Sequence, residues 1–182
     1  MLTFTSRARA FGLGIVAAIC CLAITPANAS QAPQITAQTL IDRAQIQDLI
    51  TRYYNNFGRE DAESFADFYA DDAELILGTR TYKGKNGILE AYGRAPGQAP
   101  RPPRPPRYSF IVTISNPLIV VHGNTATAQM VFTEYEIEKQ GDAPKVTTQG
   151  KEYSTFVKAN GQWRYRTRQI ASGTEPPKGW KE

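Results

Sequence analysis

Cysteine is almost absent from this sequence: the two present, Cys20 and Cys21, both fall within the first 29 residues. Those residues read as a cleavable secretory signal. Arg7 and Arg9 open it without an acid, an apolar run follows from Phe11 to Ile24, and small residues end it at Ala27-Asn28-Ala29. The run is shorter than the roughly 20 residues a bilayer-spanning helix needs, and Pro26 interrupts it. Ile19 stands before Cys20 where a lipid-modified cysteine wants a small residue. Cleavage after Ala29 takes 29 residues from 182, leaves 153, and excludes both a disulfide framework and thiol chemistry from the mature chain. The expected location is the periplasm or the outside medium, with no membrane contact after cleavage.

Histidine is equally scarce, with His122 alone beside the Gly123-Asn124 turn signal. A single imidazole excludes a His-rich metal site, and with no G-x-S-x-G elbow and no serine expected near His122 a Ser-His-Asp triad is not expected either, nor a metal or a cofactor. An excess of one charge is also missing: without Arg7 and Arg9, 19 basic side chains face 17 acidic ones, interspersed, which speaks against nucleic acid as a partner. The exception is the segment from Ala95 to Arg107, where Arg101, Arg104 and Arg107 recur every third residue among prolines. A polyproline II helix has three residues per turn, so these three guanidinium groups would share one edge, either a solvated lid or a site for an anionic or acidic partner.

The remainder divides by hydrophobic period. Residues 30–40 are a polar lead-in expected to lack order, residues 41–170 one domain, and residues 171–182 a tail. Asp42 and Gln45 form a capping-box pattern, and Ile46, Leu49, Ile50, Tyr53 and Phe57 recur at helical spacing up to Gly58. A second helix is predicted from Asp61 through Tyr69, a short strand at Glu74–Leu77, a turn region at 78–84 and a third helix at 86–92. Period-two alternation then predicts strands near 108–115, 118–122, 125–137, 151–158 and 162–170, with Asn160-Gly161 the strongest hairpin signal. Helices followed by an antiparallel sheet define an α+β domain.

The ordered set Ile46-x-x-Leu49-Ile50-x-x-Tyr53, Asp61, Phe65, Phe68-Tyr69-Ala70-Asp71-Asp72-Ala73, Gly84-x-x-Gly87-Ile88, Ser115-Asn116-Pro117 and Gly161-x-Trp163-Arg164 leading to Arg168 resembles SnoaL-like domains of the nuclear transport factor two-like superfamily. The resemblance implies three N-terminal helices in the concave face of a strongly curved mixed or antiparallel sheet. It also implies an apolar pocket at the open end of this cone and a homodimer formed through the sheet. In catalytic members an Asp at the end of the first helix and a His four residues before the Asn-Pro turn move protons. The matching positions here are Gly58 and Val112, and neither carries a proton.

The resemblance and the alternation together nominate pocket residues. Tyr53, Tyr54 and Tyr69 come from the helices, Tyr153 from the fifth strand, and Gln169 from the last, where it shares a face with Trp163, Tyr165 and Thr167. Arg164, Arg166 and Arg168 are assigned to the solvent face. Glu134 follows Ala126, Ala128, Met130 and Phe132 on one face, a carboxylate that an apolar surround could turn into an acid or base. The leading expectation is a binding domain for a small apolar or aromatic molecule; the alternatives are a lyase or isomerase using Glu134 and a tyrosine, and a protein-interaction module.

Overall fold

The computed structural model describes residues 35–57, 64–97, 108–171 and 175–180. Helix α1 (Ala37–Asn55) starts nearly two turns before the predicted cap, Asp42. Thr36 caps it: its hydroxyl accepts from the Thr39 amide at 3.1 Å, and the Thr39 hydroxyl accepts from the Thr36 amide at 2.8 Å. Two orphan N–H groups are thereby satisfied by two short side chains. Asp42, predicted as the cap, is a helix-interior residue turned toward the sheet, and Ile41, its supposed staple, is exposed.

A single 3-10 turn (Phe65–Phe68) stands where the second helix was expected, with Asp61 and Gly58 outside the described residues. Strand β1 (Tyr69–Leu77) follows without a break, then β2 (Arg80–Lys83) in the region read as a turn, and α2 (Gly84–Ala91) in place of the third helix. Two α-helices and one 3-10 turn are therefore described, rather than three helices. The apolar pattern at Phe65, Phe68 and Tyr69 serves a helix and a buried strand start equally well, and here the strand claims Tyr69.

Four long strands complete the chain: β3 (Ser109–His122), β4 (Thr125–Ile137), β5 (Lys145–Ala159) and β6 (Gln162–Ala171). The six form one mixed sheet in the order β2-β1-β6-β5-β4-β3, antiparallel except where β1 runs parallel to β6. The two short strands expected at 108–115 and 118–122 are one strand. Asn116, at φ 52°, and Pro117 form a bulge there, because β4 pairs with Ser115 and then resumes at Leu118. The β5–β6 hairpin turns on Asn160 and Gly161, with φ of 51° and 76°, the two left-handed residues that a type I′ turn requires.

Helix α1 lays Ile46, Leu49, Ile50, Tyr53 and Tyr54 against one face of the sheet, here called inner, where Leu75, Ala126, Ala128, Met130, Phe132 and Phe156 meet them. Complete burial of an aliphatic side chain such as Ile46 or Leu75 stabilises the fold by about 1.5–3 kcal/mol. Asp42 ties the helix to the far hairpin: it accepts from Lys158 Nζ at 2.7 Å, Trp163 Nε1 at 3.0 Å and Gln38 Nε2 at 3.1 Å. On the opposite, outer face, Tyr153 packs edge-on against Trp180 of the tail, ring centroids 5.2 Å apart.

Candidate functional site

Strict alternation along β6 would send Arg168 to solvent. Instead Phe156 pairs with Tyr165 and Thr155 with Thr167, so Arg166 is an extra, unpaired residue in the ladder. That bulge reverses the facing of everything after it. Trp163 and Tyr165 point inward before the bulge and Arg168 points inward after it, only 5 % exposed. Gln169 goes outward with its cross-strand neighbour Tyr153. On β5 the alternation is regular, and Glu152, Ser154 and Phe156 face inward.

The result is an ion pair inside an aromatic interior. Arg168 Nε donates to Glu152 Oε2 at 2.7 Å, and its Nη2 donates to the Tyr54 hydroxyl at 2.8 Å. Tyr54 in turn donates to Glu152 Oε2, and Ser154 donates to Glu152 Oε1 at 2.7 Å. The guanidinium carbon lies 4.6 Å from the centre of the Tyr53 ring and 5.4 Å from that of Tyr54, so both ring faces add to its stabilisation. Tyr53 also shares a hydrogen bond with the Tyr92 hydroxyl and accepts one from Tyr69 at 3.4 Å. Burial alone would disfavour the charge on Arg168, but Glu152 and the surrounding tyrosines outweigh it and raise the guanidinium well above its ordinary value. Burial likewise holds the Tyr53, Tyr54, Tyr69 and Tyr165 hydroxyls protonated, with Arg168 opposing it only in part. These tyrosines are hydrogen-bond donors, not bases.

Of the residues nominated from sequence, Tyr53, Tyr54 and Tyr69 come together in this interior. Tyr153 and Gln169 do not, since they occupy the outer face. Glu134 stands half-buried on the inner face, directly opposite Val112 in the β3–β4 ladder. It is four residues along β4 from Met130, the neighbour of Glu152, which places it about 13 Å from the ion pair along the strand. His122 is exposed in its turn. Arg101, Arg104 and Arg107 lie outside the described residues, as does Gly58.

Sequence reasoning missed Glu152, Ser154, Tyr92 and Arg168. For the first two the signal existed, because Glu152 and Ser154 alternate with the apolar Phe156. For Arg168 it did not, since nothing in the run Arg164-Tyr165-Arg166-Thr167-Arg168 marks which residue is extra.

Two of the surface clefts among the described residues lie elsewhere. One, of about 390 Å³, runs between α1, the 3-10 turn and the β5–β6 hairpin, lined by Asp48, Arg52, Asp67, Phe68, Trp163 and Arg164 among others. The other, of about 600 Å³, follows β2 and α2, with Arg80, Tyr82, Lys83 and Glu90 on its walls. Neither is lined by Tyr53, Tyr54, Glu152 or Arg168. Among the described residues no three imidazole, thiol or carboxylate groups gather as a metal ion would require.

Solved structures share this architecture at low identity, which establishes likeness of fold alone. A putative scytalone dehydratase from Novosphingobium aromaticivorans is 16% identical, with TM-score 0.59, covering 81% of this chain and 100% of that one. Hexachlorocyclohexane dehydrochlorinase LinA-type3 from Novosphingobium barchaimii is 21% identical, with TM-score 0.56, covering 78% and 94%. An NTF2-like protein with a cystatin-like fold, also from N. aromaticivorans, is 23% identical, with TM-score 0.55, covering 77% and 87%. No curated protein matches the chain. The model of the SnoaL-like domain matches residues 38–169, nearly the whole of the folded part, and the chain belongs to the SnoaL-like domain family.

Proposed function

We propose that this protein is an exported SnoaL-like domain that holds a small apolar or aromatic molecule in the interior between α1 and the sheet, beside Arg168. One observation carries the reading: a charged pair sits inside a cluster of aromatic rings. Desolvating two charges costs several kcal/mol per ion, and a well-packed apolar pair of the same volume stabilises a fold as well or better. A domain that had only to be stable gains little from Glu152 and Arg168 over an apolar pair. A domain that must orient a polar group on a greasy ligand gains a fixed donor in a low-dielectric surround, with Glu152, Ser154 and Tyr54 holding it in place.

The match to proteins named as a dehydratase and a dehydrochlorinase raises the question of elimination chemistry here. Val112 occupies the inner-face rung where the family resemblance puts the imidazole, so that acid–base route has no carrier at this position. One specific feature supports a second reading, a lyase or isomerase with a different base: Glu134 faces Val112 across the same rung. The two readings part in a pH–rate profile measured on hydroxylated aromatics and steroids, with wild type beside Glu134→Gln. Turnover lost in the variant supports the enzyme; saturable binding without turnover in either protein supports the binding domain.

Export rests on the reading of residues 1–29, and fractionation of expressing cells tests it. Pairing of two copies through the outer face is favoured by Ile111 and Leu118, exposed on the edge strand β3, and sedimentation velocity decides it.

A further inference from the structure

The cleft of about 390 Å³ between α1, the 3-10 turn and the β5–β6 hairpin stands apart from the aromatic interior and has a chemistry of its own. Its floor is apolar, formed by the buried Leu49, Phe68 and Trp163. Its walls carry both signs of charge: Asp48 and Arg52 from α1, Asp67 from the 3-10 turn, and Arg164 from β6.

These charges do not neutralise one another. Asp48 precedes Arg52 by four residues on an exposed helix face, the spacing and order in which an acid and a base pair most readily. Arg52 instead lays its guanidinium over the Phe68 ring, 5.8 Å from its centre. Neither Asp48 nor Asp67 has an ion-pair partner among the described residues. Arg164 is braced by neutral groups, donating Nη1 to the Trp163 carbonyl at 3.0 Å and Nη2 to Gln162 Oε1 at 2.7 Å. The cleft of β2 and α2 is the contrast, for there Arg80 pairs with Glu90 at 3.5 Å and Lys83 with Glu74 at 2.8 Å. A cationic ligand would use only the two carboxylates, and an anionic one only the two arginines. A ligand bearing both charges uses all four.

We propose that this cleft binds a zwitterion with an apolar body, the class of a free aromatic amino acid. Its ammonium is held by Asp48 and Asp67, its carboxylate by Arg52 and Arg164, and its side chain lies against Phe68 and Trp163. The volume falls in the range of small-molecule sites. The site is independent of the interior one, and neither depends on the other.

The test follows the indole Nε1–H of Trp163, which donates to Asp42 at 3.0 Å, by NMR during titration with three probes. They are phenylalanine, phenethylamine (the cation alone) and 3-phenylpropionate (the anion alone). A charged hydrogen bond more or less makes phenylalanine the tightest by about tenfold or more over either of the others. Asp48→Asn with Asp67→Asn should abolish its advantage over 3-phenylpropionate, and Arg52→Gln its advantage over phenethylamine. All three side chains are exposed, so unliganded variants keep the wild-type fold and spectrum. Equal affinity for the three probes in wild type, or an advantage that survives both variants, overturns the proposal. So does a Trp163 signal that stays still up to about 1 mM phenylalanine. Movement of the interior tyrosine rings without Trp163 overturns this site and leaves the interior reading standing.

Discussion

Removal of one member of the Glu152–Arg168 pair should cost far more than removal of both. Glu152 is 0 % exposed and Arg168 5 %, so neither can regain water without opening the core. In Glu152→Gln the amide keeps the shape and two of the contacts, but the guanidinium loses its counter-charge; in Arg168→Met the carboxylate is left to Tyr54 and Ser154. An uncompensated buried charge costs about 3–5 kcal/mol, a large part of the 5–15 kcal/mol typical of a domain. In the double variant no charge remains, Met fills most of the arginine stem, and the Gln side chain still accepts from Ser154 or Tyr54. Its loss should fall below that of either single change, giving a coupling of at least about 2 kcal/mol of compensating sign. Urea unfolding of residues 30–182 measures all four corners. Single losses below about 1 kcal/mol, or a double loss equal to the sum, would refute a tightly desolvated pair.

Other outcomes follow from particular contacts. Asp42 is held below the ordinary carboxylate range, first by its bond to Lys158 and against the effect of burial. Its contribution is therefore complete above about pH 4, the unfolded value, and is lost as pH falls through the depressed folded one; Asp42→Asn should flatten the acid limb of the stability curve. Burial raises four tyrosines well above 10, so their contribution is present below about pH 10 and lost as pH rises beyond it. Ultraviolet titration should show the buried four ionising only with alkaline unfolding. Gly150→Ala would set a Cβ 2.9 Å from the Phe132 ring and 3.1 Å from the Ala171 carbonyl, costing about 1–3 kcal/mol by calorimetry. Trp180→Ala uncovers Tyr153, and loss of the edge-on pair should cost about 0.5–1.5 kcal/mol beyond the area exposed.

Local rules carried the sequence reading wherever one period ran unbroken. Ile46, Leu49, Ile50 and Tyr53 placed a helix face correctly, and Asn160-Gly161 placed the hairpin because two left-handed residues have few other uses. The errors cluster where the period changes. At Asp42 a capping pattern competed with the Thr36–Thr39 box nearly two turns earlier, and long-range partners on β5 and β6 claimed the carboxylate. At Arg166 one unpaired residue moved Arg168 from the solvent to the centre of the molecule and sent Gln169 the other way. Register of this kind is settled by pairing with β5 across the hairpin and with β1, remote in sequence, so inspection of β6 alone has no means of finding it. Tyr153 shows the same limit, its aromatic ring buried by the tail rather than by the helices.

The central claim is that the interior beside Arg168 is a ligand site. An NMR titration of tyrosine ring signals with 4-nitrophenol addresses it directly, since each ring reports its own surroundings. Tyr53, Tyr54 and Tyr165 are expected to shift together and saturably while exposed Tyr108 stays still. Movement confined to Tyr82, which lines the cleft of β2 and α2, with the interior rings silent, would contradict the account.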